Sequence, residues 1–251
     1  MNNLFKNSKI FNDPYTHLIC DNFLKDYQNY DESFPLDLLS TPIRMDRDLT
    51  YGDKNYEKIH QTTFKQLHNY IYSENFIKDF LEIFKKEFDK KFDNGELLYN
   101  PFELKIKSQP YEMRNFISRN NNINDEVFLF PRMDFGVGYA GYGYSNGGRG
   151  IHTDNVTRLI SIMLFFTDQK DLRKGEHLLY EVEGKIPKIK KKVELKKNRL
   201  LASIQSNDAY HAVDPLLSGE RRAIYMSISC SSKIWKDYED PFLRKLSQNR
   251  S

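Results

Sequence analysis

Short strand-like segments separated by turn residues make up most of the chain after about residue 100. They read VFLF, RLISIMLFF, EHLLYEV, RLLASI and RRAIYMSISC. These segments are rich in aliphatic and β-branched residues, and no long helical pattern lies between them. Several short strands in succession favour a sandwich or barrel over a parallel α/β sheet, whose strands alternate with helices. We therefore predict a β core within residues 101–251.

The first 100 residues are predicted to be mostly helical and to pack on that core as one continuous unit. Residues 56–72 carry a helical apolar stripe, and Ser73 is a candidate N-cap for the helix that follows. Phenylalanine recurs at every fourth position of that helix, at Phe76, Phe80, Phe84 and Phe88. Gly95 can end it. A strand is also expected at residues 15–24, and another at residues 102–107 begins the β core, so the predicted fold class is α+β.

Composition narrows the classes of partner. The chain has 38 Lys and Arg against 35 Asp and Glu, a net charge of +3, which does not by itself indicate nucleic-acid binding. Its longest purely apolar stretch, IMLFF, is too short to cross a membrane, and the N-terminal residues lack the apolar core of a signal peptide. Cys20 and Cys230 are too few for a disulfide framework, so buried thiols are expected. These features predict a soluble cytoplasmic protein.

A glycine-rich segment, residues 136–150, leads into the residues of greatest chemical interest. Its start, GVGYAG, matches a dinucleotide-binding pattern, but YGYSNGGRG follows and cannot form the helix that such a site requires. The segment is either a hairpin loop or a lid beside a site. In the second case its tyrosines could touch a substrate; they are Tyr139, Tyr142 and Tyr144.

His152 and Asp154 lie two residues apart in GIHTDN, just before an apolar strand. Residues with this spacing on a strand point to the same side, so the imidazole and the carboxylate can aim at one metal ion. A third ligand must come from elsewhere in the chain. The remaining histidines are candidates: His17, His60, His68, His177 and His211.

Two histidines and one carboxylate on one side of a metal ion leave three coordination positions open, as in non-haem Fe(II) oxygenases. A 2-oxo acid and O₂ can use those positions. A fixed arginine suits the far carboxylate of such an acid, because its planar guanidinium bonds a carboxylate through two N–H groups. The segment HAVDPLLSGERR contains both His211 and a candidate arginine, Arg221.

The pattern His152-x-Asp154, His211 and Arg221 resembles the iron- and 2-oxoglutarate-dependent dioxygenases, in particular their prolyl-4-hydroxylase-like branch. KGEHLLYE resembles the Gly-Gly-Glu-Leu segment of that branch, with Lys174 in place of the first glycine. HAVDPLLSGERRAIYMSIS resembles its His-x-Val-x-Pro-Val-x-x-Gly-x-Arg ending. The resemblance is close over residues 125–230 and loose over residues 14–35.

This resemblance implies a double-stranded β-helix, or jelly-roll, core braced by helices. It also implies Fe(II) on His152, Asp154 and His211, with 2-oxoglutarate held by Arg221. The implied activity is hydroxylation of an unactivated C–H bond in a small-molecule or peptidyl substrate. O₂ is the oxidant, ascorbate is an optional accessory, and 2-oxoglutarate becomes succinate and CO₂. The alternatives are a metal-dependent jelly-roll enzyme that does not use 2-oxoglutarate, and a non-catalytic binding protein on the same fold.

Alternation in RRAIYMSIS separates Arg221 from its neighbour Arg222. Arg221, Ala223, Tyr225 and Ser227 share one face, and the family pattern places small or polar residues on the pocket face. Where this branch often has a serine, two positions after the arginine, Ala223 is found. The hydroxyl that assists Arg221 is therefore left open between Ser227 and a loop tyrosine.

A basic run at residues 185–199 contains eight Lys or Arg. Such runs are usually the solvated face of a hairpin, and we expect that here rather than contact with nucleic acid.

Overall fold

The computed structural model describes residues 5–39, 47–108, 126–140, 150–183 and 186–236. Within these ranges the strands are β1 (Ser8–Phe11), β2 (His17–Asp21), β3 (Arg47–Leu49), β4 (Lys105–Ile106), β5 (Phe128–Tyr139), β6 (Arg158–Phe165), β7 (His177–Glu183), β8 (Ile186–Val193), β9 (Arg199–Ile204), β10 (His211–Val213) and β11 (Glu220–Cys230). The helices are α1 (Tyr27–Glu32), α2 (Lys65–Ile71), α3 (Glu74–Ile83) and α4 (Lys85–Asp93), with short 3-10 helices at Tyr56–Gln61 and Gln169–Asp171.

The strands form two sheets. Among the described residues the larger sheet has eight strands in the order β1-β2-β9-β6-β11-β5-β3, with β4 paired to β5 beside that path, and the smaller sheet has the order β10-β7-β8. The segment before β6 adds to the smaller sheet, because His152 forms an antiparallel bridge with His211. From β5 onward the chain therefore passes repeatedly between the sheets, which is the winding of a jelly roll. The predicted α+β fold with a jelly-roll core is confirmed.

The larger sheet has two different faces. On β11, the side chains of Ile224, Met226 and Ile228 belong to the main hydrophobic core, which also contains the buried apolar residues of α2, α3 and α4. Ala223 and Tyr225 lie on the other face, in a smaller cluster with apolar residues of both sheets. We call that cluster the pocket-side core; its members include Met163, Phe165, Leu179, Val193 and Leu201. Strand alternation thus separates a helix-facing side from a side that looks into the jelly roll.

The helices follow the phenylalanine spacing with one difference. The Ser73 side chain accepts a hydrogen bond from the backbone N–H of Phe76, so it caps α3 as predicted. Phe76, Phe80, Phe84 and Phe88 are all buried. The single helix expected here is divided at Phe84, where φ is −99° and ψ is 11°. Neither proline nor glycine marks this break in the sequence.

The first 100 residues also contribute strands to the larger sheet. β2 lies within the predicted strand at residues 15–24 and ends at a turn where Asn22 has a positive φ of 57°. It pairs with β9, and β3 pairs with β5. The expected strand at residues 102–107 is shorter than predicted, because only Lys105–Ile106 forms β4. A division of the chain near residue 100 stays a prediction.

The basic run forms β8 from Ile186 onward, at the edge of the smaller sheet. Its lysines are largely exposed, and two of them pair with glutamates of β7: Lys188 with Glu183 and Lys190 with Glu181. Charged side chains on an edge strand discourage pairing with other chains. Cys20 and Cys230 are buried thiols. No helix in the described ranges is long and apolar enough to cross a membrane.

Candidate metal centre

His152 and His211 are brought together by strand pairing. Each donates its backbone N–H to the carbonyl oxygen of the other, over 3.0 and 2.9 Å. Directly paired residues of this kind carry their side chains on the same face, and the two imidazole rings lie with their centroids 4.3 Å apart. The bridge therefore joins two histidines from distant parts of the sequence at one end of the smaller sheet.

Asp154 completes a group of three possible metal ligands. Its Oδ1 atom lies 3.8 Å from Nε2 of His152 and 3.9 Å from Nε2 of His211. The three ligand atoms all lie within 4.8 Å of one another, and Asp154 and His211 are buried. Two imidazole nitrogens and one carboxylate oxygen converge here as the sequence predicted.

Hydrogen bonds to the backbone set the tautomers of both histidines. Nδ1 of His152 lies 2.7 Å from the carbonyl oxygen of Gly150, and Nδ1 of His211 lies 3.0 Å from that of Ala209. Because a carbonyl oxygen only accepts, each Nδ1 carries the hydrogen and each Nε2 presents a lone pair. Histidines that bind metals are commonly oriented in this way. The donor set therefore fits a divalent metal ion such as Fe(II).

Two residues that sequence reasoning missed hold the carboxylate of Asp154. Nη1 of Arg158 donates to Oδ2 over 3.2 Å, and the Ser161 hydroxyl donates to the same oxygen. These bonds engage Oδ2 and leave Oδ1 turned toward the histidines. A signal for Ser161 does exist in the sequence, since it is a polar residue within the apolar strand RLISIMLFF. Nothing local indicates the role of Arg158.

His177 is not one of the three converging ligands but packs against one of them, His211. Its ring stacks on that of His211, with centroids 5.3 Å apart and an angle of 29° between the planes. Burial lowers the pKa of His177 well below its usual value, and the positive charge of Arg221 acts in the same direction. His177, one of the five candidates for the third ligand, is therefore not among the converging residues, and its arrangement fits a structural role.

Arg221 is buried on the pocket side of β11, with only 5% of its surface exposed. Its Nη1 donates to the Tyr225 hydroxyl over 2.5 Å, and its Nη2 lies 3.9 Å from the sulfur of Met163. Its Nε has no hydrogen-bond partner, and no carboxylate of the described residues forms a salt bridge with it. Buried charges in proteins are normally paired, so this guanidinium can accept an anionic ligand.

Arg222 points to the opposite side of the same strand. Its Nε lies 3.1 Å from Oε1 of Glu220, and its guanidinium lies over the ring of Phe34 on the helix-facing side. The turn that leads into β11 depends on Gly219, which has a φ of 93°. Any other residue at this position would place its Cβ atom only 2.6 Å from the carbonyl oxygen of Asp171. The local backbone therefore determines which of the two arginines enters the pocket.

Tyr225 supplies the hydroxyl next to Arg221, a residue that the sequence did not single out. Ser227, one of the predicted candidates, lies farther along the strand, with its Oγ 3.4 Å from that of Ser229. The Tyr225 ring lies against Gly136 of β5, where a Cβ atom would come within 2.6 Å of ring atom Cε2. A glycine at position 136 therefore makes room for this tyrosine.

The three loop tyrosines are not brought together in the described part of the chain. Tyr139 is the last residue of β5 and packs against the helix-facing core. Its neighbour Gly138 is the residue that pairs with Arg221. Tyr142 and Tyr144 lie outside the described residues. Contact of these tyrosines with a substrate stays a prediction, as does closure of the glycine-rich segment.

Comparison with protein-family models gives no match, and neither does comparison with curated proteins. Among solved structures, a prolyl-4-hydroxylase of Pseudomonas putida is 14% identical, with 85% of this chain and 91% of that one covered and a TM-score of 0.47. A collagen prolyl hydroxylase of Paramecium bursaria Chlorella virus-1 is 14% identical to this chain. The match covers 87% of this chain and 97% of that one, with a TM-score of 0.42. A 2OG-Fe(II) oxygenase family member of Burkholderia pseudomallei is 16% identical, with a TM-score of 0.31. That match covers 46% of this chain and 49% of the other chain, so this chain spans about half of that protein's length.

Proposed function

We propose that this protein is an Fe(II)- and 2-oxoglutarate-dependent dioxygenase that hydroxylates an unactivated C–H bond of a small-molecule or peptidyl substrate. The observation that carries the proposal is a pair of features on the pocket side of the larger sheet, where Arg221 and Ser161, the hydroxyl partner of Asp154, both project. A two-histidine, one-carboxylate donor set stands at one end of the jelly roll, and the buried Arg221 on the pocket face has no carboxylate partner among the described residues. The first suits Fe(II) and the second suits the far carboxylate of a 2-oxo acid.

Each protein group has a defined part in this activity. His152, Asp154 and His211 hold the metal, which supplies oxygen activation when it is bound. Arg158 and Ser161 orient Asp154, so that a single carboxylate oxygen faces the two histidines.

Arg221 and Tyr225 bind and orient 2-oxoglutarate. The pocket-side core surrounds them with apolar side chains, including Phe165 and Leu201, which exclude water. Excluding water strengthens the bond between the guanidinium and the carboxylate, because charges attract more strongly at low dielectric constant.

The proposal predicts that the purified protein converts 2-oxoglutarate to succinate only when Fe(II) is present. Removal of the metal by a chelator should reduce succinate formation to background, and re-addition of Fe(II) should restore it. Mass spectrometry of succinate is the measurement. Succinate formation that persists without metal would contradict the proposal. Binding of Fe(II) without any turnover of 2-oxoglutarate would favour the two alternatives, a 2-oxoglutarate-independent enzyme or a binding protein.

Tyr225→Phe should weaken 2-oxoglutarate binding by roughly tenfold, since a hydrogen bond to a charged group contributes at least about 1.5 kcal/mol. Gly136→Ala should act in the same direction, because the new methyl group displaces the Tyr225 ring. Calorimetric titration of 2-oxoglutarate into the Mn(II)-loaded protein measures both effects. Tyr70→Phe is the matched control, since the Tyr70 hydroxyl donates to Asp79 on the helical side. If Tyr225→Phe binds 2-oxoglutarate as tightly as the control, Tyr225 has no part in holding it.

A further inference from the structure

A row of short hydroxyl side chains crosses the pocket face of the larger sheet beside Asp154. Ser203 of β9 pairs with Ser161 of β6, and Ser161 pairs with Ser227 of β11. Ser227 pairs in turn with Arg132 of β5. Paired residues of neighbouring strands project on the same side, so these four side chains form one line. Ser161 bonds directly to Asp154, which places the row next to the metal ligands.

Charges of both signs lie along this row, on β5 and just before and within β6. Nε of Arg132 lies 2.6 Å from Oδ2 of Asp134, and Arg158 bonds to Asp154 as described above. Asp134 pairs with Tyr225, so it shares the pocket face. Burial raises the pKa of Asp134 to about 6, and the positive charges of Arg132 and Arg158 oppose that rise. Asp134 and the two arginines therefore form one electrostatic group, which we call the Asp134 cluster.

The Asp134 cluster has one unused acceptor and one unused donor. Oδ1 of Asp134 and Nε of Arg158 are both buried and have no hydrogen-bond partner in the described part of the chain. Leaving such atoms unsatisfied is costly, whereas a ligand that bonds to them removes the cost. The cluster borders solvent, since the side chains of Arg132 and Arg158 are 28% and 21% exposed, and a ligand must enter past them to reach the two buried atoms. These properties describe a binding site for a ligand with a cationic donor and an anionic acceptor close together.

We propose that the Asp134 cluster binds the ammonium and carboxylate groups of a free α-amino acid, and that this amino acid is the substrate that is hydroxylated. Asp134 accepts from the ammonium group, and the guanidinium of Arg158, with that of Arg132, donates to the carboxylate. A residue within a peptide is a poorer fit, because its amide N–H and C=O groups are neutral. Charge-assisted hydrogen bonds are roughly twice as strong as neutral ones. This inference rests on the proposed function and specifies its substrate class.

Calorimetry on the 251-residue chain tests the inference without turnover. The protein is loaded with Mn(II) and 2-oxoglutarate and titrated with each proteinogenic L-amino acid. We expect at least one to bind, and we expect its N-acetyl and methyl ester derivatives to bind at least about tenfold more weakly, since each derivative loses one charged group. A proline-containing peptide that binds more tightly than every free amino acid would overturn the inference.

Asp134→Asn should weaken binding of that amino acid by at least about tenfold and leave 2-oxoglutarate binding unchanged. Asp89→Asn is the matched control, since Asp89 is an exposed partner of Lys85 on α4. Unchanged amino-acid binding in Asp134→Asn would also overturn the inference. Failure of every amino acid to bind, while 2-oxoglutarate still binds, refutes the substrate class alone. Failure of 2-oxoglutarate to bind instead refutes the proposed function, and the substrate class with it.

Discussion

Replacing Asp154 by alanine is expected to abolish Fe(II)-dependent succinate formation while the protein remains folded. The change removes the only carboxylate among the three converging ligand atoms, so two neutral imidazoles are left to hold a divalent ion. The fold should persist, because Arg158, the charged partner of Asp154, is 21% exposed at its side chain and can be solvated by water. Succinate production and metal content per chain are the measurements, with circular dichroism to monitor folding.

Asp89→Ala on the exposed face of α4 is the control for this experiment, since it removes an aspartate that is distant in the sequence and pairs only with Lys85 in the described structure. It should retain full metal content and turnover. If Asp154→Ala keeps turnover close to that of the unmodified protein, the assignment of the metal ligands is wrong.

Arg221→Leu is expected to weaken 2-oxoglutarate binding by roughly 10- to 150-fold. A hydrogen bond to a charged group contributes about 1.5–3 kcal/mol, and each 1.4 kcal/mol changes the dissociation constant about tenfold. Arg222→Leu should have little effect, because Arg222 lies on the other face of β11 and pairs with Glu220. Calorimetry of the two Mn(II)-loaded variants measures the difference. The opposite ranking would show that Arg222 is the residue that binds the acid.

The unliganded stability of Arg221→Leu separates a ligand-binding role from a structural one. Arg221 is buried without a carboxylate partner in the described residues, and replacing a buried charge by an apolar side chain is often neutral or stabilising. We therefore expect the melting temperature to stay the same or to rise. A marked fall would indicate that the guanidinium supports the fold, and would remove the reason for assigning it to an external anion.

Much of the candidate site could be predicted from short-range patterns. Strand alternation selected Arg221 over Arg222, because the orientation of side chains along a strand depends only on whether the positions are odd or even. The spacing of phenylalanines and the cap at Ser73 located α3 in the same way. These features depend on a few residues that are neighbours in the sequence. The conformational preferences of those residues do not depend on where the segment lies in the folded protein. His152 and Asp154 converge as predicted, but Asp154 lies outside the strands, so alternation is not the reason for its position.

Other features required the tertiary structure. The pairing of His152 with His211, the contact of Arg158 with Asp154 and the contact of Tyr225 with Arg221 depend on which strands are neighbours or on how a side chain turns within the packed pocket. The break at Phe84 is another case, since helical spacing continues through it in the sequence. Strand register results from many weak packing contributions that are added over the whole core. It therefore cannot be read from the residues of a single segment. The sequence by itself therefore determined which residues share a face, and only the packed sheets decided which of those faces meet.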